Sequence, residues 1–271
     1  MPGSRVARTT RGLALACHPG PTVAVTVLTA LLAWSVGHTL PRGALVTAAV
    51  LTGQLSIGWS NDLVDARRDR AVGRRDKPIA RGDVTAGTVR AATGTALLAC
   101  VVLSLACGPA AAAVHLLLGV AWGWAYNLWF KRTDLSPLPY AVAFAALPAV
   151  VTLALPTPTW PTPWVLLTGA LLGVGAHLLN TLPDLADDEA TGVRGLPHRL
   201  GARRVRWLAP GVLLLGTVVA AYGPGMDSAG WALLVACLVL AVVAVTTRGR
   251  LPFVAAIGIA LANVLALVVR A

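Results

Sequence analysis

Nine stretches of this chain are each long and apolar enough to cross a lipid bilayer, and that pattern leaves few folds open. They fall at roughly 20–40, 43–62, 84–107, 109–130, 137–156, 162–183, 206–223, 228–246 and 251–269. A helical crossing needs about 20 apolar residues. The separators are short and carry turn signals, among them "CGPA", "PTPTWPTP", "GPGMD" and "RGRLP". Only 12% of the 271 residues are charged and 56% are hydrophobic, whereas a soluble domain carries about 25% charged residues. The pattern predicts an all-α polytopic membrane protein, one domain over residues 1–271. The basic opening "MPGSRVARTTRG" looks like the start of a signal peptide. The apolar segment behind it is too long for one, so it reads as an uncleaved first span.

The formal charge of +11 raises the question of nucleic acid. Its distribution answers it. Twenty of the 22 basic residues fall on one side of the membrane when the nine segments alternate, and only Arg42 and Arg270 fall on the other. That bias predicts a cytoplasmic N-terminus and an external C-terminus, with the bases serving orientation and contact with anionic lipid. No nucleic-acid partner is expected. Arginine outnumbers lysine 20 to two in a chain rich in Ala, Gly, Val and Pro. That bias suggests a GC-rich bacterial genome, hence a bacterial inner membrane. Cys17, Cys100, Cys107 and Cys237 form no pair or cluster motif and read as small apolar residues.

The acidic residues follow another logic. Ten of the eleven share the basic side, and nine of those lie in two connections, after the second and sixth segments. The positive-inside rule does not ask for this, because acids contribute little to topology. In "NDLVDARRDRAVGRRDKPIARG", residues 61–82, Asp62, Asp65 and Asp69 stand at offsets 0, 3 and 7, with Asp76 further on. On a helix continuing past the membrane they share one face. Asn61 and Gln54 extend that face back toward the bilayer. In the second connection, His177, Asn180, Asp184 and Asp188 stand at offsets 0, 3, 7 and 11, with Asp187 and Glu189 off the stripe. A solvated loop explains either cluster alone. It does not explain two on one side, each continuing a polar stripe out of a span.

Like charges at this spacing repel unless a cation lies between them. Oxygen ligands suit a hard ion such as Mg²⁺, which takes its other ligands from water and substrate phosphates. Two acidic helix ends on one side of a bundle can together hold such ions and clamp a diphosphate as a leaving group. Arg67, Arg74, Arg75, Lys77, Arg81, Lys131, Arg132 and Arg194 are placed to bind its oxygens.

These residues resemble the UbiA superfamily of intramembrane prenyltransferases. Its NDxxDxxxD motif reads here from Asn61 to Asp69, followed by Lys77-Pro78-Ile79-Ala80-Arg81-Gly82. Its DxxxD motif reads Asp184 to Asp188 and leads into Gly192-Val193-Arg194-Gly195-Leu196-Pro197-His198-Arg199-Leu200-Gly201. The resemblance spans the whole chain. It implies nine helices in a ring around a central cavity, open to lipid, under a cytoplasmic cap. It also implies Mg²⁺ held by Asp62, Asp65, Asp69, Asp184 and Asp188. Asp65, Asp69, Asp184, Asp188 and Lys131 would carry catalysis. Asn61, Arg74, Arg75, Lys77, Arg81, Tyr126, Arg132, Asn180 and Arg194 would bind substrate. Two positions depart from the family: Thr181 stands where many members have a further Asp, which Asp187 could replace. Tyr126 lies five residues before Lys131 instead of four, and one residue turns a helix by about 100°.

Other candidates keep two readings. Trp59, Trp122, Trp124 and Trp129 could face a carbocation or form an interfacial belt; Trp160 and Trp164 fit the belt. His177 could be a base toward the acceptor or a core histidine bonded to a neighbouring helix. His38 and His115 are given no role. No phosphate-loop, dinucleotide, zinc-protease or nucleophile-elbow motif occurs. The expected function is Mg²⁺-dependent prenyl transfer from an isoprenoid diphosphate to an aromatic or other lipophilic acceptor. Phosphoribosyl transfer to a polyprenyl phosphate, or cyclisation of the prenyl diphosphate, would use the same site. An ion-coupled transporter is the alternative of another class. Prenyl length, acceptor identity and oligomeric state have no linear motif.

Overall fold

The computed structural model describes residues 2–71, 73–74, 77–183, 185, 188 and 192–270, with side chains from residue 6 onward. Among these the regular structure is entirely helical: α1 Pro2–Ala16, α2 Pro19–Ser35, α3 Leu40–Ala71, the single turn α4 Pro78–Arg81, α5 Ala86–Ala106, α6 Pro109–Leu128, α7 Leu138–Leu153, α8 Pro163–Thr181, α9 Leu196–Tyr222, α10 Ser228–Thr246 and α11 Leu251–Arg270. Lipid offers backbone groups no hydrogen-bond partner, so a chain this apolar is driven to satisfy them along its own helices. Each of the nine apolar stretches coincides with one of the helices α2, α3 and α5–α11. Among the described residues, six helices are individually long and apolar enough to cross a membrane, or seven with α1 and α2 taken together across a bend of 67°. α7 is shorter, and α3 is long but more polar.

The chain divides into two compact units, Met1–Leu128 and Trp129–Ala271. In the first, α3 is the spine. It packs against α2 and α5, and its 32 residues reach about 48 Å, well beyond the roughly 30 Å of bilayer hydrocarbon. The surplus turns carry the first acidic cluster. α1 was not expected as a separate helix: its sequence has no apolar run that marks one. It lies against α3 and α4, with Trp59 Nε1 donating to Leu13 O at 2.9 Å. A Cβ at position 58 would strike the Cys17 carbonyl, so Gly58 permits that close approach. α6 relaxes into a π-helical segment over His115–Val120, where buried His115 shares a 2.8 Å hydrogen bond with Ser104 Oγ of α5.

In the second unit, α8 packs on α7 and α9, and α9 on α10 and α11. Asn263 donates to Leu213 O at 2.8 Å and accepts from Thr217 Oγ1 at 2.8 Å, joining α11 to α9 inside an apolar core. The two arginines that broke the charge pattern each tie helix ends. Arg42 donates to the last carbonyls of α5, Ala106 O and Cys107 O, at 3.1 and 2.7 Å. Arg270 donates to Oδ1 of Asp227, the N-cap of α10, at 2.6 Å.

Candidate functional site

The last turns of α3 sort their charges by face. Asp62, Asp65 and Asp69 are buried, at 1%, 6% and 4% exposure, while Arg67 and Arg70 are exposed. The 0, 3, 7 spacing therefore forms one face, and that face points inward. Arg68 Nη2 is 3.0 Å from Oδ1 of Asp65. Lys77, just ahead of α4, brings its Nζ to 3.6 Å from Oδ1 of Asp62. Burial pushes the Asp69 carboxyl above its ordinary value; Lys77 opposes that and the neighbouring charge of Asp65 adds to it.

The remaining first-unit candidates take varied places. Arg74 is half-buried, and its backbone N–H donates to Asp69 O at 3.0 Å. Arg81 is exposed and pairs with Asp83, Nε to Oδ2 being 2.6 Å. Asn61 Nδ2 donates to Oδ1 of Asn127 at 3.0 Å, and Asn127 donates to Ile57 O and Ser60 Oγ, both at 2.8 Å. Asn61 thus ties α3 to α6. Tyr126 is half-buried on α6. Trp59 is held by α1, Trp124 Nε1 donates to Ser56 Oγ at 3.3 Å, and Trp129 is exposed. Arg75 and Asp76 lie outside the described residues.

In the second unit Asp184, Asp187 and Glu189 also lie outside the described residues. Asp188 is described, with Oδ2 3.4 Å from Nε2 of His198. Lys131, in a short 3₁₀ turn, is buried, while Arg132, Asn180 and Arg194 are exposed. Thr181 hydrogen-bonds back to His177 O at 3.0 Å, so the position where many relatives carry an acid is spent on its own helix. His177 is 1% exposed. Its Nε2 lies 3.1 Å from Ser136 Oγ, its ring packs on Tyr140 at 4.9 Å, and Ser136 Oγ also accepts from Leu196 N at 3.1 Å. Those partners fit the core reading of His177. Gly195 sits so close to this segment that a Cβ would lie 2.6 Å from Lys131 O and 2.9 Å from Ser136 Oγ.

Among the described residues, no three His, Cys, Asp or Glu side chains group as a ready metal cage. The donor chemistry still fits a hard divalent ion. The candidate donor atoms are all oxygens, and Oδ2 of Asp69 is buried without a hydrogen-bond partner among the described residues. A buried, under-satisfied carboxylate calls for a cation.

Sequence reasoning missed His18, Asn127, Ser136 and His198. His18 precedes Pro19-Gly20, a turn signal that marks the bend but not its partner, Lys77.

Fold and site together define an integral membrane protein with a buried acid-and-base cluster at one helix end. The UbiA prenyltransferase family model matches residues 22–268. The chain belongs to that family and is a transferase of the prenyltransferase type. A UbiA homologue from Archaeoglobus fulgidus bound to GPP and Mg²⁺ shares the fold with a TM-score of 0.70 at 13% identity, over 96% of this chain and 100% of that one. An apo homologue from Aeropyrum pernix K1 gives 0.71 at 14%, over 92% and 98%. A structure of digeranylgeranylglyceryl phosphate synthase gives 0.68 at 13%, over 97% and 98%. No curated protein matches the chain.

Proposed function

We propose that this protein transfers a prenyl group from an isoprenoid diphosphate to an aromatic or other lipophilic acceptor within the membrane, with Mg²⁺ as cofactor. The observation that carries the reading is the buried face of Asp62, Asp65 and Asp69 with Lys77 beside it. The substrate class is supported by the fold shared with the homologue bound to GPP and Mg²⁺.

Asp62, Asp65 and Asp69, with Asp184 and Asp188, serve as metal ligands. Bound Mg²⁺ supplies Lewis-acid stabilisation of the departing diphosphate. Lys77, Lys131, Arg74, Arg75, Arg81, Arg132 and Arg194 neutralise diphosphate oxygens, with Asn61, Tyr126 and Asn180 as polar contacts. The C1–O bond breaks heterolytically and its electron pair leaves with the diphosphate. The allylic cation then forms a bond to a nucleophilic atom of the acceptor, which loses a proton. Apolar helices exclude the water that would quench the cation. The nine helices that carry the apolar stretches are read as nine crossings, with the N-terminus and the charged site on the cytoplasmic side by the asymmetry of Lys and Arg.

The test incubates purified protein with Mg²⁺ and labelled prenyl diphosphates of several lengths, with and without aromatic acceptors. Acceptor-dependent product is expected. Diphosphate release without an acceptor would redirect the reading to cyclisation or hydrolysis. Absence of both binding and turnover for every prenyl diphosphate would overturn it.

A further inference from the structure

Among the described residues, His18 is the one non-glycine with positive φ, at 56° with ψ of 69°. L side chains avoid that region, and a residue is kept there only where its surroundings over-determine it. His18 forms the corner between α1 and α2, and its flanks are pinned. Thr22 Oγ1 donates to Cys17 O at 2.8 Å, Trp59 holds Leu13 O, and the Cys17 backbone lies against Gly58.

The imidazole on this strained corner ends with Nε2 3.2 Å from Lys77 Nζ. An ammonium has donors and no acceptor, so the facing nitrogen accepts, and His18 meets Lys77 as a neutral ring with its proton on Nδ1. Lys77 also faces Asp62 at 3.6 Å and acts electrostatically on Asp69. That separation is longer than the roughly 2.7–2.9 Å of a direct charge-assisted hydrogen bond. The ammonium thus lies between a neutral acceptor and a buried anion, nearer the acceptor.

We propose that His18 is a positioning residue that holds the Lys77 ammonium off Asp62 so that it remains available to a diphosphate oxygen. The proposal rests on the diphosphate reading above and extends the site to the α1–α2 corner. If the corner needed only its backbone shape, glycine would serve better than histidine. His18→Gly therefore separates the two roles.

The experiment measures displacement of labelled geranyl diphosphate by inorganic pyrophosphate, with Mg²⁺, on the full chain in lipid nanodiscs. His18→Gly is expected to melt no lower than the wild type and to bind pyrophosphate about tenfold more weakly. In a Lys77→Met background, His18→Gly should cost nothing further. His18→Asn tolerates the same backbone and keeps an acceptor oxygen, so it should bind more tightly than His18→Leu. Wild-type affinity in His18→Gly, or the same loss with and without Lys77, would overturn the proposal. If the glycine variant does not fold, equal affinity of the Asn and Leu variants would overturn it instead. A wild-type protein that binds no pyrophosphate would overturn the diphosphate reading itself, a result distinct from binding that the variants share.

Discussion

Nζ of Lys77 stands 3.6 Å from Oδ1 of Asp62, whose side chain is 1% exposed. A carboxylate so buried needs a positive neighbour, and Lys77 is one. Lys77→Met should therefore lower stability by about 1–3 kcal/mol, because an uncompensated buried charge remains. Asp62→Asn in the same chain should restore part of that loss. Thermal unfolding in detergent checks both. Equal melting of wild type and Lys77→Met would show that Asp62 is balanced by other groups.

Asp69 gives the site a pH dependence. Burial is the main reason its carboxyl titrates above the ordinary 3.8, and the charge of Asp65 adds to it. With a folded value above the unfolded one, the native state holds this proton longer. Its stabilising contribution is complete below the unfolded value and is lost as pH rises through the folded value. Metal binding needs the ionised form, so Mg²⁺ affinity should rise with pH over that interval while the metal-free protein loses Asp69's contribution. Calorimetric titration with Mg²⁺ in steps from the ordinary carboxylate range, about pH 4, up to about pH 7.5, in buffers of different ionisation enthalpy, reads both affinity and proton release. Constant affinity across that range, with no proton released, would separate Asp69 from metal binding.

What was legible in the sequence is what periodicity and hydropathy encode. Each of the nine apolar stretches lies on a helix, and the 0, 3, 7 spacing of Asp62, Asp65 and Asp69 forms one buried face with Arg67 and Arg70 outside it. What was not legible depends on distance along the chain. His18 and Lys77 are 59 residues apart, Asn61 and Asn127 are 66 apart, and Ser136 and His177 are 41 apart. No local pattern announces such pairs. α1 was missed because a short basic helix carries no apolar stripe long enough to stand out. Counting Arg42 and Arg270 by membrane side could not show that each fastens helix ends.

The two readings of His177 predict different kinetics. A general base removed from an acceptor would cost about 10²–10⁴-fold in rate. A core histidine would cost stability instead. Ser136 Oγ lies between His177 Nε2 and the backbone N–H of Leu196, and His177 is 1% exposed, so the second pattern is expected. His177→Gln should retain kcat within about tenfold, and Ser136→Ala should lower stability by about 1–3 kcal/mol by stripping a partner from the buried His177 ring and from the part-buried Leu196 N–H. Steady-state rates beside melting curves separate these outcomes. A collapse of kcat in a normally folded His177→Gln protein would favour the base.

Gly195 couples the segment behind the second acidic cluster to the turn that carries Lys131. Adding one methyl group there would place a Cβ 2.6 Å from Lys131 O and 2.9 Å from Ser136 Oγ. Both neighbours are confined: one is backbone, and the other is engaged by Leu196 N. Relief requires the two segments to part, and an overpacked contact of this kind costs about 1–3 kcal/mol. Moving Lys131 displaces a proposed diphosphate ligand, and a small misplacement in a reacting site can cost about 10²-fold in rate. Gly195→Ala should thus reduce kcat/KM for the prenyl diphosphate more than Ser136→Ala does. Adding a Lys131→Met change should leave little of that rate effect, since the ligand is then already gone. A Gly195→Ala protein with wild-type kcat/KM would mean that the close approach serves packing alone and that Lys131 tolerates the shift.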